Sequence, residues 1–337
     1  MLWAENVATN TARSRDDVFA EVRPHFNDAE LVELTGVSGL FGQSNRFQDS
    51  MRLPIEEQNE VDKIKASVRA DPQRIRVYLE RVIENWPSAL PKVSVTPSLR
   101  RVEQGQASTP IEAPQTARVP LLDRNTASAD GAKFLAAARD LLRGMPNATR
   151  VWAHIPHIGK LFLPLFTVFT HEGAGSILPT RTRMLAMLRN HHVHSASYLL
   201  AHHMALARSA GLTDSEIAAA CSGDVAATAT LSPAESSAVL WAELVARNQA
   251  KHDDVVFEKL KQHFADAEIV ELTALCALCS YADLFYNALR VPLESQAELD
   301  ALNASVHLDP ARVRVYVQRL LEDWPTEFPI PDAAAAA

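Results

Sequence analysis

The sequence predicts an all-α protein, and three observations lead to that prediction. Glycine is scarce, at 11 of 337 residues. Apolar residues recur at helical spacing in segments such as EIVELTALCALCSYADLFYNAL, whereas strand-like alternation is rare. The alternating RVRVYV near the C-terminus follows Asp-Pro, a typical helix start, and continues at helical spacing to Trp324. We therefore assign this segment to a helix as well.

The composition favours some classes of function and excludes others. With 47% hydrophobic and 22% charged residues, the chain resembles an ordinary globular protein. A net charge of −8 argues against a nucleic-acid surface. We expect no apolar run to reach the length of a membrane span, since the longest candidate, GKLFLPLFTVF, is too short, and the N-terminus lacks signal-peptide features. Three cysteines are too few for a disulfide framework. We expect a cytoplasmic protein without a cofactor, whose partners are small molecules and other copies of itself.

The chain contains an incomplete internal repeat. The segment from His25 to Pro87 matches the segment from His263 to Pro325 without a gap, at a constant offset of 238, with close to half of the paired positions identical. The match extends upstream, where LWAENVATN mirrors LWAELVARN. Similarity of this extent indicates a duplication rather than two helical segments with a shared pattern.

The first copy corresponds to only the back half of the second. We therefore predict a partial repeat at residues 1–92, a linker at 93–131 that is rich in Pro, Ser, Gln and Thr, and a complete unit at 132–330. A half unit leaves an apolar face uncovered. We expect residues 1–92 to pack against the complete unit, in the same chain or in a partner chain.

The complete unit resembles the carboxymuconolactone decarboxylase and alkylhydroperoxidase-D-like superfamily. The resemblance rests on HIPHIGKLFLPLFTVF, LPTRTRMLAMLRN, HHMALARSAGLTDSEIAA, LSPAESSAVLWAELV and HFADAEIVELTALC taken together. It implies a compact all-α module that forms oligomers, with a pocket between helices. Peroxidases of this superfamily carry Glu…Cys-x-x-Cys-x-x-x-His. With the histidine at His203, the cysteine positions are Ala196 and Leu199, so the resemblance implies the decarboxylase-like branch.

The stretch LRNHHVHSASYLLAHH holds five histidines, and three interpretations stay open. In the first, His203 with His192 as its partner moves a proton on a bound molecule, because imidazole titrates near neutral pH. Treating the stretch as one helix places these two rings on the same face. In the second, His191, His194 and His202 are metal ligands, although no carboxylate lies within the stretch. In the third, the rings only satisfy buried polar groups.

Further residues are predicted to bind the substrate. Arg183 and Arg189 could receive a substrate carboxylate, although Arg183 is expected to be exposed. Tyr198 lies in the histidine stretch, and Tyr281 and Asn287 lie on the helix that helps close the pocket in the family.

The sequence thus predicts histidine-mediated decarboxylation, isomerisation or elimination on a small carboxylated molecule. A catalytically silent binding or assembly protein of the same fold is the alternative. A thiol peroxidase that uses Cys276 and Cys279 is a third hypothesis. Small buried side chains are the simpler explanation of this cysteine pair, because the repeat has Ser38 and Phe41 at the matching positions.

Overall fold

The computed structural model describes residues 1–64, 71–87, 90, 113–142, 144–223 and 230–328. No strand forms within these ranges, where β pairing is limited to an isolated bridge between Glu172 and His307. The predicted all-α class is therefore confirmed. The α-helices of the described residues are α1 (Leu2–Ala8), α2 (Asp16–Val22), α3 (Asp28–Met51), α4 (Gln58–Ile64), α5 (Pro72–Glu84), α6 (Ala129–Leu142), α7 (Asn147–Trp152), α8 (Pro156–Thr170), α9 (Thr180–Val193), α10 (Ser197–Ser209), α11 (Asp214–Ser222), α12 (Pro233–Ala246), α13 (Asp254–Lys261), α14 (Asp266–Leu289), α15 (Gln296–Leu302) and α16 (Pro310–Glu322).

The alternating segment near the C-terminus is helical because its start is capped. The side chain of Asp309 accepts a hydrogen bond from the backbone N–H of Ala311, and Pro310 occupies the first position of α16. A proline there costs no hydrogen bond and presets a helical φ angle. Asp71 and Pro72 begin α5 in the same way. These caps explain why the RVRVYV pattern and its repeat do not form strands.

The two repeated segments have the same helices at the same offset. Helices α3, α4 and α5 begin and end 238 residues before α14, α15 and α16. Side-chain contacts repeat as well. The indole N–H of Trp3 donates to Thr35 at 2.9 Å, and the indole N–H of Trp241 donates to Thr273 at the same distance.

Helices α3 and α14 pack along each other, so residues 1–64 lie against the complete unit in the same chain. The contacts across this interface are reciprocal. Arg52 donates to the carbonyl of Lys251 at 2.6 Å, and Arg290, its equivalent, donates to the carbonyl of Arg13 at 2.8 Å. The same surface of each copy thus faces the other, as in an isologous contact with two-fold symmetry.

A second face of α3 has no cover among the described residues. Val37, Leu40 and Phe41 are 44%, 50% and 67% exposed. Their equivalents on α14 are, in the same order, Leu275, Leu278 and Cys279. All three of these side chains are buried. Helix α9, which packs on α14, has no counterpart on α3 among the described residues.

Only part of the predicted linker is described. Residues 91–112 lie outside the described part of the chain. From Ala113 onward the chain packs on the interface, where Arg118 bonds to Asp16 and to the carbonyls of Ala12 and Ala288, and Val119 is buried. This part therefore joins the core instead of merely connecting two units.

Helix α14 is long and apolar enough to cross a membrane by length and composition, so the expectation that no apolar run reaches that length is wrong. However, 83% of its most apolar window is buried inside the protein. This burial is typical of the core helix of a soluble protein.

Candidate functional site

The histidine stretch forms two helices, not one. Helix α9 ends at Val193 and α10 begins at Ser197, and Ser195 between them has a left-handed φ of 48°. The prediction that His192 and His203 share one helix face is therefore wrong. The turn directs the ring of His191 toward His203 and leaves His192 exposed on the protein surface.

His203 is connected to a buried carboxylate through His191. The Nδ1 atom of His203 lies 2.6 Å from Nε2 of His191, and Nδ1 of His191 lies 2.6 Å from Oδ1 of Asp283. The second carboxylate oxygen of Asp283 accepts from His194 at 3.0 Å. His191 and Asp283 are fully buried. Three side chains thus form a continuous chain of hydrogen bonds from α14 to α10.

The partners determine the tautomer of each ring. Burial alone would raise the pKa of Asp283, but the charge and hydrogen bond of His191 and the hydrogen bond of His194 lower it, so Asp283 is ionised. With His191 neutral, its Nδ1 donates to Asp283 and its Nε2 accepts from Nδ1 of His203. The Nε2 atom of His203 is left with its lone pair, and it makes no hydrogen bond within the described residues.

His203 is electrically neutral in this environment. Burial, followed by repulsion from His191, His202 and His171, lowers the pKa of His203 well below its ordinary value. A neutral imidazole with an unprotonated Nε2 can accept a proton. It cannot donate one from that atom until it has taken one up.

His203 lines a cavity of about 100 Å³ between α7, α8, α10 and α14. Aromatic rings form much of its wall, including those of Trp152, Phe162, Phe166 and Tyr286. The ring of Phe166 stacks on His203 with 6.1 Å between centroids. Apolar walls with a few polar groups are typical of sites for small molecules.

A second polar group borders the same cavity. Nε2 of His202 lies 2.7 Å from Oε2 of Glu294, and the hydroxyl of Tyr198 donates to Oε1 of Glu294 at 2.8 Å. Asn303 donates to Nδ1 of His202 at 3.0 Å, which makes Nε2 the donor to Glu294. Burial would raise the pKa of Glu294, but the hydrogen bond and charge of His202 and the N–H of Asn147 lower it. The hydrogen bonds of His202 and Glu294 are thus made within the protein.

Comparison with known proteins gives one family match. Residues 162–244 match the model of the carboxymuconolactone decarboxylase family, and this segment contains α9, α10 and His203. This match supports the assignment of residues 162–244 to the carboxymuconolactone decarboxylase and alkylhydroperoxidase-D-like superfamily.

Solved structures with related folds include two of interest. A peroxidase-related protein with an alkylhydroperoxidase AhpD core, from Ralstonia eutropha JMP134, is 16% identical, has a TM-score of 0.46, and is aligned over 60% of this chain and 99% of its own. The apo debrominase Bmp8 is 20% identical, has a TM-score of 0.42, and is aligned over 54% of this chain and 95% of its own. No curated protein matches the chain. At these TM-scores the two structures carry no conclusion about activity.

The two arginines predicted to anchor a substrate carboxylate do not line the cavity. Arg183 is fully buried, contrary to the expected exposure, and donates to the carbonyls of Phe169 and His171. Arg189 pairs with Glu243 at 2.6 Å and donates to the carbonyl of Cys221. Both guanidinium groups are thus used for packing α9 against neighbouring segments.

Of the other predicted binding residues, only Tyr198 lines the cavity beside His203. Tyr281 does not, since its ring packs against Trp152 and edge-on to Phe162. Asn287 lies outside, where its amide donates to Asn10 and to the carbonyl of His194. A separate pocket contains Asn287 and is described below.

The metal interpretation has no arrangement to support it in the described part of the chain. No group of three or more His, Cys, Asp or Glu side chains there is placed to hold a metal ion. His191 and His194 both bind Asp283, and His202 binds Glu294.

The cysteines are poorly suited to thiol chemistry. Cys276 and Cys279 are fully buried, and burial raises the pKa of each thiol far above its ordinary value. Burial also raises the pKa of Cys221 to about 11. A peroxidase requires an accessible thiol with a lowered pKa, and these cysteines have the opposite properties.

Sequence reasoning missed Asp283 and Glu294. A signal for Asp283 was available, because it is a single acidic residue in the apolar stretch LCALCSYADLFYNAL. A carboxylate in such a stretch is buried, and a buried charge needs a partner. Glu294 follows α14 in the loop VPLES and gave no comparable signal.

Proposed function

We propose that His203 acts as a general base on a small carboxylated molecule, in an isomerisation, elimination or decarboxylation. The observation that supports this most directly is the position of His203. Its Nε2 lone pair is the free end of the Asp283–His191–His203 chain, and its ring lines the cavity. A base held by a second group in one tautomer is the usual arrangement for proton transfer.

The hydrogen bonds from His203 through His191 to Asp283 can stabilise the positive charge that forms on His203 during the reaction. When Nε2 of His203 takes a proton from a substrate C–H or O–H bond, the ring becomes an imidazolium. Its Nδ1–H bond already points to His191, so the positive charge can be shared with His191 and balanced by Asp283. The proton on Nε2 then returns to another atom of the product, which regenerates the neutral base.

The neutral resting state favours reactions that begin by removing a proton. Isomerisation and elimination begin in this way. In a decarboxylation, the electrons of the broken C–C bond enter a neighbouring carbonyl, and the carbon then needs a proton. His203 can supply that proton only after it has taken one up.

The cavity limits the size of the reacting group. An engineered apolar cavity of about 150 Å³ accommodates benzene. The cavity beside His203, at about 100 Å³, is smaller. It fits a reacting fragment of a few atoms, and a larger substrate requires movement of the aromatic wall.

The test is a screen of small lactones and keto acids, followed by comparison of His203→Gln with His263→Gln, which changes an exposed histidine on the surface. We expect His203→Gln to lower turnover by about 10²- to 10⁴-fold, the usual contribution of general acid–base catalysis. The control should retain turnover. Equal turnover of the wild-type and His203→Gln proteins would exclude the proposal.

The silent binding or assembly protein stays as a second candidate, because His203 is buried and packs against Phe166 and His191. A substrate-sized ligand that binds without turnover would favour it. The expected self-association also stays a prediction, and sedimentation velocity would test it.

A further inference from the structure

A second pocket, of about 540 Å³, lies where the two copies meet. The first copy supplies Arg13 and Ser14, and the complete unit supplies Ser195, Ser197 and Arg290 among other residues. Tyr198 and Tyr286 border both this outer pocket and the cavity beside His203. Their rings meet edge-on, with 5.5 Å between centroids, and separate the two spaces.

The outer pocket has an excess of positive charge. Asp16 pairs with Arg290 and with Arg118, each at 2.8 Å. Arg13 has no carboxylate within ion-pairing distance among the described residues, and its Nη1 donates only to the carbonyls of His194 and Ser195. Of the two arginines that line the pocket, Arg290 thus shares Asp16 with Arg118, and Arg13 has no carboxylate partner among the described residues.

Several hydrogen-bond donors in this pocket are unused. Within the described residues, no hydrogen bond is made by Nε or Nη2 of Arg13, by Nη1 of Arg290, or by the hydroxyls of Ser195 and Ser197. Ser195 also has a left-handed φ of 48°. Such backbone conformations are uncommon for residues other than glycine and occur often at ligand sites.

The internal repeat allows the arginines of this pocket to be compared with the cations at the equivalent positions of the other copy. The equivalents of Arg13 and Arg290 in the other copy are Lys251 and Arg52. Lys251 pairs with Asp49 at 2.6 Å, and Arg52 pairs with Asp254 at 2.6 Å, so each cation there has its own carboxylate.

One substitution between the copies accounts for the difference. The position of Asp49 in the first copy is held by Asn287 in the second. The backbone is otherwise matched, since Arg52 and Arg290 have φ angles of 48° and 52°. The carboxylate that neutralises Lys251 is therefore missing beside Arg13.

We propose that the outer pocket binds an anionic group of a ligand, a carboxylate or a phosphate, and that Arg13 of the partial repeat is its principal contact. A guanidinium offers two parallel donors to such a group, and the serine hydroxyls and Arg290 add further donors. The partial repeat thus completes a binding site of the complete unit. This proposal concerns binding alone and does not depend on the chemistry proposed for His203.

The test uses the full-length protein and isothermal titration calorimetry with succinate and with inorganic phosphate, at constant ionic strength. The wild-type protein should bind at least one of them saturably. Arg13→Gln should weaken that binding about tenfold or more, a change worth about 1.4 kcal/mol, and Arg13→Lys, which keeps the charge, should weaken it less. Tighter binding of phosphate indicates a phosphorylated ligand, and tighter binding of succinate indicates a carboxylated one.

Lys251→Gln is the matched control, because it removes the equivalent cation from the other copy. It should change the affinity by less than about twofold. Equal losses in Lys251→Gln and Arg13→Gln would show a general ionic effect and overturn the proposal. The proposal would also be overturned if neither probe bound saturably, or if Arg13→Gln bound as well as the wild type. His203→Gln should bind normally, so failure here is distinguishable from failure of the proposed catalysis.

Discussion

Asp283 and Asn45 occupy equivalent positions in the two copies, yet only Asp283 has imidazoles to bind. Asp283 is fully buried on α14 and contacts His191 and His194, whereas Asn45 is exposed on α3. No described residues of the first copy correspond to the segment that contains these histidines. The carboxylate is thus specific to the copy with the complete site.

The first prediction concerns this carboxylate. Asp283→Asn gives α14 the amide that α3 already has, and it should lower turnover about 10- to 100-fold, because a hydrogen bond to a charged group is worth about 1.5–3 kcal/mol. An amide can also present its N–H to His191 and favour the wrong tautomer. Steady-state kinetics on the substrate found by the screen would measure this. Asn45→Asp is the control and should leave turnover unchanged. Wild-type activity in Asp283→Asn would show that His203 does not act through His191.

The second prediction concerns pH. The folded-state pKa of His203 is depressed below its ordinary value of about 6.5. Below that pH the unfolded chain binds a proton that the folded protein does not, so the free energy of unfolding must fall as the pH falls. The contribution of His203 is fully present above about pH 6.5 and is lost below it.

Urea unfolding between about pH 5 and pH 8 measures this dependence. His203→Gln, which cannot titrate, should show a weaker loss of stability below the ordinary histidine pKa. His263→Gln, which changes an exposed ring, should follow the wild-type curve. Identical slopes for His203→Gln and the wild type would contradict a depressed pKa for His203. The catalytic rate should likewise persist below pH 6.5, since the base is still unprotonated there.

The third prediction concerns the buried thiols. The raised pKa values of Cys276 and Cys279 mean that almost no thiolate forms near neutral pH. In the native protein, both should resist alkylation by iodoacetamide and should be modified only after unfolding, as mass spectrometry would show. Cys276→Ala and Cys279→Ala should retain any turnover found for the wild type. Rapid native alkylation of either cysteine would reopen the peroxidase hypothesis.

The helical class was predictable because local pattern determines it. Apolar spacing and the Asp-Pro start identified the C-terminal helix, and the constant offset identified the matching helices. The turn at Ser195 was not predictable, because HHVHSASY contains neither Gly nor Pro to mark it. The partner of His203 was missed for the same reason, and Asp283 was missed because it meets His191 from 92 residues away. Contacts of this kind depend on how the helices pack, which periodicity does not report.

The fourth prediction compares one substitution at two equivalent positions. Leu40 on α3 is 50% exposed, whereas Leu278 on α14 is 2% exposed. Leu278→Ala should lower the free energy of unfolding by about 2–5 kcal/mol, because it leaves a cavity in the packed interior. Leu40→Ala should change it by less than about 0.5 kcal/mol, as for most surface substitutions. Urea denaturation of both variants provides the measurement.

The result for Leu40→Ala also reports on the uncovered face of α3. If Leu40→Ala costs as much as Leu278→Ala, the face is covered in solution, and the loss should then depend on protein concentration because a second chain provides the cover. A small loss that does not vary with concentration means that Val37, Leu40 and Phe41 face solvent in the folded chain, as the structure has them. The half unit would then be stabilised through its contacts within the same chain.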